Sequence, residues 1–259
     1  MSEPSVSPEW ESPPDELMLG DDEVHVWRAS LDVPEALVRQ LQETLDAAEI
    51  ARAERFYFRK DRNHFVVARG LLKAILGQYL NIEPHSLRFG YGAQGKPYLW
   101  LSEDNPPKES ALRFNLSHSA GIMLLAVARD RELGIDVERI RPEFASETIA
   151  EQFFSPRETA TLRALPAEMQ PAAFFNCWTR KEAYIKARTE GLSFPLDQFD
   201  VSLSPDEPPA LLSVNHDSQE VERWSLYGLD PGPGFTGALV VEGHCRRLLK
   251  LHWSPDCTR

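Results

Sequence analysis

The chain has 259 residues, and its 40 acidic residues outnumber its 28 basic residues to give a formal net charge of −12. That balance argues against a nucleic-acid-binding or membrane-surface protein, because both classes need a basic face. It leaves room for a local basic pocket that binds a phosphate-rich small molecule. The three cysteines are widely spaced and odd in number, which predicts neither a disulfide framework nor a metal-ligand pair. We therefore expect a soluble protein of a reducing compartment, the cytoplasm.

The beginning of the chain is acidic and rich in proline, and we predict a disordered tail over residues 1–20. This segment lacks the positive start and the apolar core of a signal peptide. The longest apolar run of the chain, Gly121–Ala128, is too short to cross a bilayer, so no membrane segment is expected.

The predicted elements of the first half follow in the order strand, two helices, long helix and strands. Glu23–Leu31 alternates like a strand, and the next two helices begin near Pro34 and after Asp46, which is a typical N-cap. Asp61–Leu80 has the pattern of a longer amphipathic helix. Two predicted strand pairs complete this half, in LRFGYGAQGKPYLW and in LRFNLSHSAGIMLLAVARD.

The second half repeats this order. A strand at Leu133–Ile140 precedes helices, of which one starts at Ser155 and Pro156 and a longer one covers PAAFFNCWTRKEAYIKAR. Further strands close the chain. The repetition predicts an α+β fold of two pseudo-symmetric halves, each a small, mainly antiparallel sheet packed with helices, with a ligand cleft between them. The predicted boundaries are 21–130 for the N-terminal half, 131–250 for the C-terminal half and 251–259 for a C-terminal tail.

The strand Leu133–Ile140 carries two acidic residues, Asp136 and Glu138. Side chains two residues apart on a strand point to the same face, about 6.5 Å apart along the chain, while Ile135 and Val137 point to the other face. The pattern is compatible with an ordinary half-solvated strand and also with a face that holds a cation.

The long helix of the second half carries charged residues within an aromatic stripe. On a helical wheel, Lys181 and Glu182 lie among aromatic residues rather than on the polar face. A solvated ion pair between Glu182 and Lys186, four residues apart, is the simplest interpretation. A carboxylate within an aromatic stripe needs a partner or a metal, however, because burying it alone is costly. The predicted polar face of this helix comprises Asn176, Thr179, Arg180 and Ala183.

Three further segments have the composition of phosphate contacts. Ser117 and His118 are neighbours in FNLSHSAG, and the absence of a G-x-S-x-G elbow favours a capping turn or a phosphate contact over a hydrolase triad. GAQGKP lacks the spacing of a Walker A loop, so a hairpin turn with a solvated lysine also explains it. IARAERFYFRKDRNHF is either a solvated helix end or an anion site. Its basic and histidine residues are Arg52, Arg55, Arg59, Lys60, Arg62 and His64.

Taken together, FNLSHS, GIDVE and WTRKEAYIK, in this order and spacing, resemble the three signature motifs of the Sfp-type 4′-phosphopantetheinyl transferase family. The segments ERFYFRKDRNHFVVARGLL and GKPYL also match its nucleotide-binding regions. The resemblance extends over roughly residues 23–242. It implies a monomer of two pseudo-symmetric halves, with coenzyme A and a magnesium ion bound in an active-site cleft between them.

The resemblance also implies a role for individual residues. Asp136, Glu138 and Glu182 match the magnesium-binding acids, and Lys186 matches a lysine that contacts the pyrophosphate. His64 aligns with an arginine of some members, and Arg69 is a candidate to replace that arginine or to form an ordinary intrahelical pair. The matched coenzyme A contacts are Arg52 for the 3′-phosphate, Gly95, Lys96 and Pro97 for the adenine-nucleotide turn, and Ser117, His118 and Lys186 for the phosphates.

The implied reaction transfers the phosphopantetheine arm of coenzyme A to a serine hydroxyl of an apo acyl or peptidyl carrier protein and releases adenosine 3′,5′-bisphosphate. Glu182 is the candidate proton acceptor, and Asp136 and Lys186 are the other candidate catalytic residues. Two alternatives use the same residues. One is a magnesium-dependent nucleotide pyrophosphate hydrolase, and the other is a non-catalytic module that binds coenzyme A or a carrier protein.

Overall fold

The computed structural model describes residues 10–92, 95–100, 110–145, 147–188, 194–215 and 217–255. Within these ranges the chain forms seven α-helices and eleven β-strands. No helix in them is long and apolar enough to cross a membrane. The elements of the first half are β1 (Glu23–Ser30), α1 (Glu35–Gln42), α2 (Ala47–Ala53), α3 (Arg59–Leu80), β2 (Arg88–Tyr91), β3 (Pro97–Trp100), β4 (Leu112–Ser119) and β5 (Ile122–Arg129).

The rest of the chain follows the predicted order of strand, two short helices, long helix and strands. Its elements are β6 (Leu133–Arg139), α4 (Glu147–Phe153), α5 (Pro156–Ala164), α6 (Gln170–Arg188), β7 (Phe199–Val201), β8 (Leu211–Val214), α7 (Ser218–Arg223), β9 (Trp224–Leu229), β10 (Phe235–Glu242) and β11 (Arg247–His252).

Two sheets organise the fold. The first has four strands in the order β11-β1-β5-β4, and the second has three in the order β6-β10-β9. Neighbouring strands are antiparallel except β1 and β11, which run parallel. The small hairpins β2-β3 and β7-β8 are separate two-stranded sheets. Small, mainly antiparallel sheets packed with helices confirm the predicted α+β class.

Both ends of the described chain pack against the first sheet, which differs from the predicted tails. Strand β11 pairs with Glu23–Arg28 of the N-terminal half, although it spans the predicted boundary between the C-terminal half and a tail at 251–259. Trp10 belongs to the predicted disordered tail, yet it is buried and its indole N–H donates to the carbonyl of Asp230 at 2.7 Å. The physical reason is that β11 covers hydrogen-bonding groups of β1 that a sheet edge would leave unpaired.

Local sequence determines where two of the short helices begin. Asp46 caps α2 and Ser155 caps α5, and each side chain accepts a hydrogen bond from the backbone N–H three residues later. Those third residues, Glu49 and Glu158, accept a hydrogen bond from the backbone N–H of the cap residue in return. Such reciprocal capping boxes satisfy backbone donors that a helix start leaves free, and they confirm both predicted N-termini.

The same two glutamates anchor the long helices. Lys73 of α3 and Lys181 of α6 are fully buried, and each ammonium lies 2.8 Å from its glutamate, Glu49 or Glu158. A buried lysine needs such a partner, because an unpaired buried charge costs several kcal/mol, about 3–5 in measured cases. The same lysine–glutamate contact thus joins a capped short helix to the long helix in both halves, which supports the predicted internal repeat.

Helix α6 is buried on nearly all sides, so the predicted polar face is wrong. Thr179, Arg180 and Ala183 are at most 5% exposed. The Thr179 hydroxyl donates to the carbonyl of Phe175 at 2.9 Å, and the Arg180 guanidinium donates to the carbonyl of Ser202 at 2.6 Å. The helical wheel fails here because α6 packs against β6, β10, α5 and β7, which cover the face that carries Thr179, Arg180 and Ala183.

The two sheets share one apolar layer, which fixes their relative position. Val24 and Val26 of β1 and Leu124 of β5 belong to the same buried cluster as Ile135 of β6 and Leu239 of β10. Close packing of fully buried side chains of this kind resists sliding of one sheet over the other. This packing brings β4, the edge strand of the first sheet, next to β6, the edge strand of the second.

Candidate active site

Strands β4 and β6 meet at the boundary between the halves and are joined there through side chains. Alternate residues of β4 share one face, and three of them contact β6 in succession. Two motifs that the sequence separates by 19 or 20 residues are therefore adjacent in space. The contacts are Asn115 Oδ1 accepting from the backbone N–H of Ile135 at 2.9 Å, Ser117 Oγ donating to Asp136 Oδ1 at 2.7 Å, and Ser119 Oγ donating to Glu138 Oε2 at 2.7 Å.

Lys186 connects helix α6 with both strands. Its Nζ donates to Asp136 Oδ1 at 2.6 Å, to Ser117 Oγ at 3.2 Å and to the carbonyl of Ile135 at 3.3 Å. The alternative ion pair within α6 is not formed, since no ion pair in the described residues joins Lys186 to Glu182. The Lys186 side chain stays 28% exposed, so its charge is accessible to a ligand.

A close approach of α6 to β6 makes this contact possible. A Cβ atom at Gly134 would lie 2.1 Å from the carbonyl oxygen of Ala183 and 2.4 Å from the backbone nitrogen of Ala187. Only glycine, which has no Cβ, lets the strand and the helix backbone pack at this distance. The Lys186 side chain, on the same turn of α6, therefore reaches Asp136.

The carboxylates of the site interact with one another. Burial raises the pKa of Glu182, and the neighbouring charge of Asp136 raises it further, while Lys186 opposes the change. Burial also raises the pKa of Glu138, against the hydrogen bond from Ser119, and Asp136 adds to the increase. Carboxylates that resist ionisation in this way are typical of sites that bind a cation or accept a proton.

Asp136 has one oxygen without a partner. Asp136 is 4% exposed, and its Oδ2 is buried with no hydrogen-bond partner among the described residues. Such an atom beside two further carboxylates fits a hard divalent cation such as Mg²⁺, which prefers oxygen ligands. In their present positions, no three acidic, histidine or cysteine side chains of the described chain are close enough to hold a metal ion. The assignment of Asp136, Glu138 and Glu182 as metal ligands therefore stays a prediction.

Two histidines near the end of β4, His118 and His64, interact electrostatically with each other. His118 follows Ser117 on β4 and is exposed. Partial desolvation lowers the pKa of His118, and the nearby charges of His64 and Lys186 lower it further, so the ring is a neutral hydrogen-bond donor at pH 7. His64 Nε2 lies 2.8 Å from Asp32 Oδ1. Because His64 already has a carboxylate partner, its contact with a phosphate remains a prediction.

The predicted nucleotide turn connects β2 and β3. Gly95 has a φ of +78°, in the left-handed region that favours glycine, and Pro97 begins β3. Lys96 Nζ donates to Glu132 Oε2 and to the carbonyl of Leu133, both at 3.0 Å. Burial lowers the pKa of Lys96, although Glu132 opposes the change. Lys96 is therefore not a solvated turn lysine, and it ties the turn to the start of β6.

The two arginines expected near the nucleotide differ in their surroundings. Arg52 is exposed, and its guanidinium lies over the ring of Phe65 at 5.3 Å, which leaves the charge accessible to an anion. Arg69 pairs with Glu49 of α2 and stacks over Phe89 at 4.0 Å. Arg69 thus joins two helices rather than forming the intrahelical pair considered above, and its charge is already matched.

Comparison with known proteins identifies the family. Residues 132–240 match the sequence profile of the 4′-phosphopantetheinyl transferase superfamily, and residues 26–130 match that of 4′-phosphopantetheinyl transferase, N-terminal. The chain belongs to the 4′-phosphopantetheinyl transferase superfamily. The resemblance carried by FNLSHS, GIDVE and WTRKEAYIK is therefore confirmed.

Individual relatives match along most of the transferase. The 4′-phosphopantetheinyl transferase HetI of Nostoc sp. is 43% identical over 234 residues, which cover 90% of this chain and 94% of HetI. The 4′-phosphopantetheinyl transferase Sfp of Bacillus subtilis is 30% identical over 182 residues, 70% of this chain and 75% of Sfp. The solved holo-[acyl-carrier-protein] synthase of Thermotoga maritima aligns with 44% of this chain and 63% of its own, at 23% identity. Its TM-score of 0.33 is too low to support an argument about this site.

Two residues of the transferase site, Ser119 and Gly134, were missed by sequence analysis. Asn115 was expected only to cap backbone groups of a turn, and it instead accepts from the backbone N–H of Ile135 on another strand. The polar alternation of Asn115, Ser117 and Ser119 on β4 is the signal that could have found Ser119. Gly134 allows the close approach of α6. Its signal is weaker, because a glycine within an apolar strand indicates close packing without saying which element packs there.

Proposed function

We propose that this transferase moves the 4′-phosphopantetheine group from coenzyme A to a serine hydroxyl of an apo acyl or peptidyl carrier protein and releases adenosine 3′,5′-bisphosphate. The observation that carries the proposal is the contact of Lys186 with both Asp136 and Ser117, because it joins both halves at one carboxylate. The relatives named as 4′-phosphopantetheinyl transferases support the reaction class.

The proposed cofactor is magnesium, held by Asp136, Glu138 and Glu182. The unpartnered Oδ2 of Asp136 and the raised pKa values of the two glutamates support this assignment, since each would be relieved by a cation. A divalent cation supplies charge neutralisation and orientation for the pyrophosphate of coenzyme A when it is bound.

Lys186 is proposed to stabilise the pyrophosphate through its positive charge. Three acceptors on β4 and β6 already orient its ammonium group, so the charge is in place before a substrate binds. A positioned charge in a partly buried site stabilises negative charge that develops on the leaving phosphate more strongly than the same charge would in water.

Glu182 is proposed to accept the proton of the carrier serine. The serine oxygen then forms a bond to the phosphorus of the phosphopantetheine group, and the bond from that phosphorus to the adenosine bisphosphate oxygen breaks. A raised pKa brings the carboxylate nearer to the working pH and strengthens it as a base. Glu182 forms no hydrogen bond or ion pair with the described residues, so its oxygens are available to a hydroxyl group.

Coenzyme A is proposed to bind across the two halves. The exposed charge of Arg52 suits a phosphate that remains partly solvated, and the neutral ring of His118 suits a hydrogen bond rather than an ion pair. The assignment follows the family resemblance. It gives Arg52 the 3′-phosphate, Gly95, Lys96 and Pro97 the adenine nucleotide, and Ser117 and His118 the pyrophosphate.

The test is whether release of adenosine 3′,5′-bisphosphate depends on a carrier. The protein is incubated with coenzyme A and Mg²⁺, with and without an apo acyl carrier protein. We expect the nucleotide to form only with the carrier present, in step with a carrier mass gain of one phosphopantetheine group. Release without a carrier would instead support a hydrolase, and binding without either product would support a non-catalytic module.

We also propose that the protein acts as a monomer in the cytoplasm. The candidate site combines Ser117 of the N-terminal half with Asp136 and Lys186 of the C-terminal half of the same chain, so a second copy is not needed to complete it. The free thiols of Cys177 and Cys245 suit a reducing compartment. Sedimentation velocity of the active protein tests the oligomeric state, and a stable dimer that alone carries activity would contradict it.

A further inference from the structure

A cluster of exposed aromatic residues lies at the turn between α2 and α3. Phe56, Tyr57 and Phe58 are 40%, 92% and 64% exposed. The rings of Tyr57 and Phe58 contact each other edge to face, with centroids 5.0 Å apart, and so present one apolar surface outward. Contiguous exposed aromatic surface marks interaction sites. We call residues 55–62 the aromatic–basic turn.

The aromatic–basic turn is positively charged in an acidic protein. It holds four basic residues and one acidic residue, whereas the whole chain has a net charge of −12. Arg59 and Lys60 each pair with a carboxylate of the first half. Arg55 and Arg62 are exposed and form no ion pair with the described residues. A partner that complements this surface carries negative charge beside apolar side chains.

The turn is connected to the candidate active site by direct packing. Phe56 packs on Phe65 of α3, with ring centroids 5.5 Å apart. His64, the residue before Phe65, lies next to Gly121 in the turn between β4 and β5. A Cβ atom added at Gly121 would be 3.6 Å from the imidazole ring of His64. The turn between β4 and β5 follows His118 and Ser119, the last two residues of β4. A partner on the aromatic–basic turn is therefore adjacent to one edge of the site.

We propose that the aromatic–basic turn is a docking surface for the carrier protein, through an acidic carrier surface that also bears apolar side chains. The inference rests on the proposed function, which requires a protein substrate to reach this edge of the site. Aromatic and arginine side chains contribute most of the binding energy at protein interfaces. The local positive charge also offsets the repulsion between an acidic partner and a chain of net charge −12.

The experiment changes one aromatic residue and one charge in the turn. Tyr57→Ala and Arg62→Glu, alone and together, alter exposed side chains outside the apolar core. Matched controls elsewhere on the surface are Leu212→Ala, at a residue 42% exposed, and Arg246→Glu, whose side chain is 84% exposed. Steady-state transfer is measured with an acidic apo acyl carrier protein varied at saturating coenzyme A, and then with coenzyme A varied at saturating carrier.

We expect the KM for the carrier to rise about tenfold in each turn variant, and further in the double variant, as for loss of an interface hot spot. In Tyr57→Ala, the kcat and the KM for coenzyme A should stay within about twofold, and both controls should behave as the unaltered protein. Arg62→Glu should also weaken the dependence of kcat/KM for the carrier on salt, whereas Tyr57→Ala should leave that dependence intact.

Three results would overturn the inference. A raised KM for coenzyme A with an unchanged KM for the carrier would assign the turn to the nucleotide. Unchanged carrier kinetics together with lost cosedimentation on phosphatidylserine vesicles would assign it to a membrane surface, and unchanged behaviour in every assay would leave it without a partner. Absence of transfer by the unaltered protein would remove the proposed function and this inference with it, so the two failures are distinguishable.

Discussion

Gly134 offers the sharpest structural test of how the two halves form one site. Gly134→Ala adds a single Cβ atom where strand β6 faces the backbone of α6. That atom would lie 2.1 Å from the carbonyl oxygen of Ala183 and 2.8 Å from the backbone carbon of Lys186. The φ of Gly134 is not in the left-handed region, so the strain comes from lack of space rather than from backbone conformation.

The required displacement follows from these distances. Ordinary van der Waals contact begins at 3.4 Å, so the helix and strand must separate by 1.3 Å at this point. Lys186 Nζ now lies 2.6 Å from Asp136 Oδ1, and the same displacement would carry that contact beyond the hydrogen-bond limit of about 3.5 Å. Overpacking of this kind costs about 1–3 kcal/mol of folding free energy, and a misplacement of about 1 Å lowers a rate by about 10²-fold.

The assay combines phosphopantetheine transfer with urea denaturation. We expect Gly134→Ala to remain folded but to lose about 10²-fold in kcat, which is more than its lower stability explains. Gly20→Ala is the matched control, because the nearest atom to its new Cβ is the flexible side chain of Glu23 at 3.3 Å. Transfer by folded Gly134→Ala at the unaltered rate would refute the claim that this close approach positions Lys186.

Three further predictions test the anchors around the site. Lys181→Met alone leaves Glu158 buried without its cation and should lower the free energy of unfolding in urea by about 3–5 kcal/mol. Glu158→Leu has a cost of its own, because Glu158 also accepts from the backbone N–H groups of Ser155 and Val201. The double variant should nevertheless lose less than the sum of the two single losses, and simple additivity would contradict the pairing. Lys96→Ala should raise the KM for coenzyme A with little change in kcat, and an effect on kcat alone would argue against its placement. Burial lowers the pKa of His25 below 6.5, so the unfolded chain binds a proton first and the free energy of unfolding should fall as pH falls through about 6.5. His25→Gln should reduce this decrease in the free energy of unfolding between about pH 7.5 and 5.5. One titrating group contributes at most about 1.4 kcal/mol per pH unit to it. An unchanged slope in the variant would exclude His25 as the cause of the decrease.

Local signals in the sequence predict much of this fold. Asp46 and Ser155 cap helices at the expected positions because N-capping depends on a few neighbouring residues. The alternating patterns of Glu23–Leu31 and Leu133–Ile140 predict strands β1 and β6 for the same reason. The repeat of element order also follows from the sequence, and Lys73 and Lys181 give it a residue-level counterpart that periodicity alone does not reveal.

Contacts between distant segments could not be predicted in this way. The parallel pairing of β11 with β1 joins residues more than 200 positions apart, and nothing in either strand specifies its partner. The burial of Thr179 and Arg180 depends on how many elements surround α6, which a helical wheel does not contain. At the site, two-residue spacing placed Asp136 and Glu138 on one strand, but the side-chain contacts from β4 emerged only in three dimensions.

The most direct test of the central claim uses intact-mass spectrometry of an apo acyl carrier protein. The carrier is incubated with coenzyme A, Mg²⁺ and either the unaltered protein, Asp136→Asn or Glu182→Gln, and circular dichroism checks that each variant is folded. We predict that the unaltered protein adds one phosphopantetheine group to each carrier and that neither variant does so at a comparable rate. Loading of the carrier by folded Asp136→Asn or Glu182→Gln at the unaltered rate would contradict the assignment of these carboxylates to the reaction.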